Sequence, residues 1–298
     1  MPYPSWLWIP LTLWAAFAQT VRNAAQRQLT AELGTLGATL VRFLYGLPYA
    51  LLFLFGVSVF LGEKFPELNP RFLGLVTVGA LSQTAATALL LRTMQERNFA
   101  LGVAYSKTEV LQVAVFALAF LGDPLSLPAM LAVVSGTSGV LLFSPFDWKN
   151  GFSSKTAILG LASGSAFALA AVGYRGAALA LTQAPFLMAA ACTLVAAQLI
   201  STLALGGLMF FRNSSSIYPV FKAWRPSQLA GFMGAAASAG WFTAFAIEPV
   251  AHVRTLGLIE LVFSYVVSLR LLRERLSKLE LAGMALLALG VALITLRP

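Results

Sequence analysis

The chain has 298 residues, 59% hydrophobic and only 10% charged, with a mean hydropathy of +0.82, whereas soluble domains carry about 25% charge. A water-soluble fold of this length lacks the charge to cover its surface, while helices in lipid need apolar residues on every side and internally paired backbone groups. The formal charge of +9 sits mostly in short connectors and forms no contiguous basic stripe, which argues against nucleic acid as a partner and fits the basic flanks of membrane helices.

A helix crossing about 30 Å of hydrocarbon needs about 20 residues. Ten apolar runs of that order follow one another at 6–25, 36–61, 72–93, 99–121, 127–143, 156–181, 186–211, 229–247, 255–272 and 279–296. The expected fold class is therefore an all-α integral membrane protein of ten transmembrane helices. Residues 1–5 hold no Lys or Arg and the first run outlasts a signal-peptide core, so that run is expected to stay in the mature protein. The connectors are too short for a soluble domain, so function is expected inside the bundle. Trp6, Trp8, Trp14, Trp148, Trp224 and Tyr218 fall near run ends, as headgroup anchors do.

Residue counts restrict the chemistry. Cys192 is the sole cysteine and His252 the sole histidine, so an intramolecular disulfide, a His/Asp catalytic constellation and a zinc site of several His and Cys ligands are all excluded. No Walker motif is present to bind ATP. The expectation is a protein that is not an enzyme and has neither cofactor nor metal.

An offset of 151 residues superposes the third to fifth runs on the eighth to tenth. Ala85, Ala86 and Ala88 fall on Ala236, Ala237 and Ala239, and Thr87 falls on Ser238. Asp123, Leu125 and Ser126 fall on Glu274, Leu276 and Ser277, and Gly139-Val140 falls on Gly290-Val291. A two-residue slip then brings Arg22 onto Arg175. Five runs per copy is an odd number, so the second copy, 148–298, enters the membrane in the opposite sense to the first, 1–147. Inverted repeats are the usual means by which secondary transporters build two nearly equivalent conformations.

Ten spans in two halves, each with an acidic Leu-Ser turn before a Gly-Val helix, resemble the drug/metabolite transporter superfamily. Within it the pattern is most similar to EamA-type ten-helix exporters, which include amino-acid exporters of the YddG kind. The resemblance implies a monomeric secondary exporter in a bacterial inner membrane, with amino acids or similar metabolites as substrates. It also implies both termini in the cytoplasm. Against this, the loops after odd-numbered runs hold 13 Lys and Arg when Arg22, Arg92 and Arg270 at the adjoining run ends are counted with them, and ten without those three, against four in the even loops and termini, which by the positive-inside rule makes the odd loops cytoplasmic. Orientation therefore stays open.

Ionisable groups at membrane depth are costly and mark functional sites. Glu109 and Glu260 lie well inside the fourth and ninth runs and coincide at the 151-residue offset, so they are the leading candidates to bind a substrate ammonium group or to take up protons. A structural ion pair with Lys107 or an Arg is the alternative. Helical spacing puts Tyr105, Glu109 and Gln112 on one stripe and Glu260, Ser264 and Ser268 on another. Gln83 and Thr87 extend this polar interior, with Trp241 and Phe242 as aromatic walls. Lys107 lies about 200° around a helix from Glu109, so the two are expected to face different ways. Arg22 and Arg175 are candidates for a substrate carboxylate, although their places near run ends favour snorkelling to headgroups; His252 is expected at the interface for the same reason.

The leading functional expectation is export of small metabolites by alternating access around a midplane cavity, with the lipid bilayer, the substrate and protons as partners. Sugar phosphates or nucleotide sugars are the alternative cargo, which paired cations facing the cavity would favour. An intramembrane enzyme is disfavoured by the missing histidines.

Overall fold

The computed structural model describes residues 4–62, 65–96, 99, 103, 106–110, 112, 127–143, 154–272, 278, 282, 283, 285, 286 and 289. Among them the protein is all helix and turn, with no strand. Six apolar helical stretches among the described residues are long enough to cross a membrane: Trp8–Phe60, Pro70–Glu96, Ile158–Ala180, Phe186–Arg212, Trp224–Ile247 and Val250–Arg270. The protein is a multi-pass membrane protein.

The first stretch, 53 residues, is far longer than one crossing needs, and its geometry shows how it is used. Helix α1 (Trp8–Leu44) is interrupted at Gly34, where φ 66° and ψ 176° belong to a region open essentially to glycine alone. Gln26 Nε2 donates to Ala38 O at 2.7 Å. In one straight helix those residues would stand about 18 Å apart, so the chain folds back and α1 is a hairpin of two antiparallel arms. The second arm runs through Tyr45 and Gly46, both right-handed, into α2 (Leu47–Leu61), keeping the Tyr45 N to Val41 O and Ala50 N to Gly46 O bonds. Gly62, with φ 62° and ψ 18°, ends α2 in a left-handed cap.

Asn69 then starts α3 (Pro70–Glu96). Its Oδ1 accepts from Phe72 N and its Nδ2 donates to Ala180 O, both at 2.8 Å. This caps one helix and ties it to the end of another. There follow α4 (Leu127–Phe143), α5 (Ser154–Ala180), α6 (Phe186–Arg212), a short helix Ile217–Lys222, α7 (Trp224–Ile247), α8 (Val250–Leu256), a 3-10 turn Gly257–Ile259 and α9 (Glu260–Leu272). The expected spans 99–121 and 279–296 lie largely outside the described residues.

Two helix pairings dominate the packing, α3 with α5 and α1 with α7. Both are crossings of small residues. A Cβ added to Gly173 of α5 would lie 3.0 Å from Gly79 Cα in α3, and one added to Gly240 of α7 would lie 3.0 Å from Leu11 O in α1. Such close backbone approach is how membrane helices gain van der Waals contact without a hydrophobic driving force. Around this alanine-rich core, Leu52, Phe55, Phe60, Leu203 and Phe211 point outward, as a lipid-facing surface requires. Trp6, Trp14, Trp224 and Tyr218 are exposed, in keeping with anchors. Trp8 is not an anchor but part of the buried core.

Candidate functional site

The bundle encloses polar side chains that apolar neighbours cannot satisfy, and they converge on Glu260. This residue opens α9 immediately after the 3-10 turn that separates it from α8. Its Oε2 accepts from Gln19 Nε2 at 2.6 Å and from Lys107 Nζ at 2.5 Å, and its Oε1 accepts from Asn23 Nδ2 at 3.0 Å. A carboxylate that is 1% exposed is tenable only with a countercharge and donors to both oxygens, and Glu260 has both. Gln19 is fixed in turn by Trp241 Nε1, which donates to its Oε1 at 2.9 Å.

Glu109 shares the same lysine. Its Oε1 lies 3.5 Å from Lys107 Nζ and 3.6 Å from Arg254 Nη1, while its Oε2 has no hydrogen-bond partner among the described residues. Lys107 and Glu109 therefore face the same site, contrary to the expectation from regular helical spacing. The physical reason is a turn at residues 107 and 108, marked by a Val110 N to Lys107 O bond of three-residue span. Gly164 of α5 packs there, where a Cβ would meet Thr108 Oγ1 at 2.8 Å. Both candidate carboxylates thus stand just after a break in helical geometry.

Arginines complete the cluster. Arg22, fully buried, donates from Nη2 to Asn23 Oδ1 at 2.7 Å. Arg42, on the opposite arm of the hairpin, donates from Nη1 to Thr87 Oγ1 at 3.0 Å and lies over the Phe43 ring. Arg254 lies 4.7 Å above the Trp241 ring centroid and 5.3 Å from that of Phe245, in cation–π geometry. Snorkelling is excluded for Arg22, which has no path outward. It is excluded also for Arg175, whose Nη1 donates to Phe245 O and Glu248 O at 2.6 and 2.7 Å and so caps the carbonyl end of α7. His252 is buried rather than interfacial, its Nδ1 2.5 Å from Glu248 Oε1.

Of the other expected residues, Gln83 and Thr87 are buried on α3, with Thr87 in contact with Arg42. Trp241 faces the cluster, whereas Phe242 turns to Tyr174, ring centroids 4.2 Å apart. Ser264 is buried with no hydrogen-bond partner among the described residues. Gln112 is half-buried, and Tyr105 lies outside the described residues. Sequence reasoning missed Gln19, Asn23, Arg42 and Arg254. Gln19, Asn23 and Gln26 do share one face of α1 at spacings of four and three, and that signal was available.

A separate groove of about 350 Å³ is lined by Leu11, Trp14, Tyr49, Phe53 and Phe232 among others. It is lined by no charged side chain, and Trp14 and Phe232 in its wall are exposed, so it is an apolar groove open at the surface.

No protein-family model and no curated relative matches the chain. A solved structure described only as a crystal structure of a protein is similar over 97% of this chain and 96% of its own, with a TM-score of 0.71 at 17% identity. That similarity is one of fold.

Proposed function

We propose that the protein is a secondary transporter of the drug/metabolite transporter superfamily, of EamA type. In this reading ten spans form two inverted halves, 1–147 and 148–298, and small metabolites, amino acids first among them, leave a bacterial cell through its inner membrane by alternating access. The observation that carries the reading is the pair Glu109 and Glu260, each set just after a helix break and both held by Lys107. Transporters place substrate and coupling-ion sites on discontinuous helices near midplane, and charge buried at that depth marks the pathway.

Two further observations support the inverted halves. Under the offsets of 151 and 153 residues, α1 corresponds to α5 and α3 to α7, so the two dominant pairings, α1 with α7 and α3 with α5, are equivalent contacts made across the halves. Ser135 Oγ also donates to Leu286 O at 3.2 Å, a contact between positions 151 apart, as expected of residues beside a pseudo-two-fold axis.

Both oxygens of Glu260 already accept hydrogen bonds, so Glu109, whose Oε2 has no hydrogen-bond partner among the described residues, is the better placed of the two to meet a substrate ammonium group or a proton. The test is uptake of radiolabelled amino acids by proteoliposomes, with and without a pH gradient, for the parent and Glu109→Gln. Saturable uptake by the parent and its loss in the variant are expected. No uptake by folded parent protein above empty liposomes would remove amino acids as cargo.

One observation favours the alternative cargo of phosphorylated sugars. Among the described residues, the buried set contains five Lys and Arg (Arg22, Arg42, Lys107, Arg175 and Arg254) against three carboxylates, Glu109, Glu248 and Glu260. An excess of buried positive charge suits an anionic substrate.

A further inference from the structure

We infer that Arg22 and Arg42 together form an oxyanion-binding site, the place where the carboxylate or phosphate group of the substrate is held. The inference rests on the transport reading for its biological meaning, though not for its chemistry.

Both side chains are at most 1% exposed. They come from the two arms of the α1 hairpin and flank Gly234 of α7, where an added Cβ would lie 3.4 Å from Arg22 Cδ and 3.5 Å from Arg42 Cβ. At 1.5 Å per residue they stand about 18 and 12 Å along their arms from the Gly34 reversal, within an apolar helical stretch long enough to cross a membrane. Arg22 is within electrostatic reach of Arg42, Glu260 and Arg254.

Each guanidinium is only partly used. Arg22 spends Nη2 on Asn23, while its Nε and Nη1 have no acceptor among the described residues; Arg42 spends Nη1 on Thr87, while its Nε has none. Arg254 Nε is likewise without an acceptor among them. The nearest carboxylate, Glu260, is committed to Gln19, Asn23 and Lys107 and does not reach either arginine by a hydrogen bond.

Two like charges buried within electrostatic reach of each other, each with donors that have no acceptor among the described residues, are costly unless an anion bridges them. Guanidinium is the cation whose planar fork fits the two oxygens of a carboxylate or phosphate. Phe43 beneath Arg42, and Trp241 beneath Arg254, hold the planes in place. A shift of either α1 arm relative to α7 would carry the anion with it, which couples the site to the pairing of α1 with α7.

The test is binding by purified protein in detergent, separate from transport. The melting temperature is titrated with inorganic phosphate and with acetate, at ionic strength matched with chloride. At least one probe should stabilise the parent saturably, and whichever binds tighter identifies the oxyanion as phosphate or carboxylate. Arg22→Lys and Arg42→Lys each keep the charge but lose the fork, and each should weaken the midpoint roughly tenfold or more. Arg212→Lys, a substitution at the exposed end of α6, should leave the midpoint unchanged. If either lysine variant does not fold, the other and the parent titration still decide. No saturable stabilisation by either probe overturns the inference, as does an unchanged midpoint in the folded lysine variants. Binding without proteoliposome uptake would instead count against the transport reading alone.

Discussion

Among the described residues, Lys107 is the cation that both candidate carboxylates share, so its removal separates a structural charge from a spare one. Lys107→Met leaves Glu260 buried with two neutral amide donors and Glu109 with only the more distant Arg254. The expected loss is about 3–5 kcal/mol, the scale for breaking a buried pair from one side, measured as a lower melting temperature in detergent. Pairing it with Glu260→Gln removes the stranded charge and should recover most of the loss; a strictly additive double variant would show that the two residues do not interact. Trp241→Phe tests a smaller effect. It keeps a ring near Arg254 but loses the donor to Gln19 and the outer edge of the indole that packs against Gly257, so about 1–3 kcal/mol is expected. Glu109 and Glu260 were legible in the sequence because a repeat offset ties them together and charge is rare in these runs. Arg42 and Arg254 were not, because an arginine near the end of an apolar run reads the same whether it reaches the headgroups or a buried partner, and only the packing of α7 against the α1 hairpin separates the two.

At the level of elements, the hairpin hinge is a backbone effect that can be isolated. A Cβ at Gly34 or at Gly62 meets nothing within 4 Å, so an alanine at either place costs strain alone. Gly62 lies in the ordinary left-handed region, where a non-glycine residue costs about 1–2 kcal/mol. Gly34, with ψ of 176°, lies where only glycine is found, and the cost rises to about 1–3 kcal/mol. Gly34→Ala should therefore lower the melting temperature more than Gly62→Ala, and the reverse order would mean that the reversal at Gly34 is not what holds the arms together. The run boundaries 36–61 and 186–211 were close to the observed helices because length and hydropathy alone set them. The breaks at 107–108 and 257–259 were not visible, since hydropathy reports apolar length and is blind to a local change of hydrogen-bond span; Gly257 was the one local hint, and a single glycine in a membrane helix is too ordinary to carry it.

At the scale of the molecule, the dominant pairings set how the chain must assemble. If 1–147 and 148–298 are the two halves, then α1 and α3 of the first find their main partners, α7 and α5, only in the second. Neither half can bury its glycine crossings alone, because Gly79 meets Gly173 and Leu11 meets Gly240 across the division. Cutting the chain between 147 and 148 leaves those crossings intact and breaks only one peptide bond. The two fragments, expressed together in one cell, should therefore co-purify as a complex with a cooperative melt. Expressed singly, each should aggregate or be degraded, because its small-residue faces would be left against lipid with no backbone to approach. A half that melts cooperatively as a monomer on its own would show that the helices pair within halves, and the interlocked arrangement on which alternating access between halves depends would have to be abandoned.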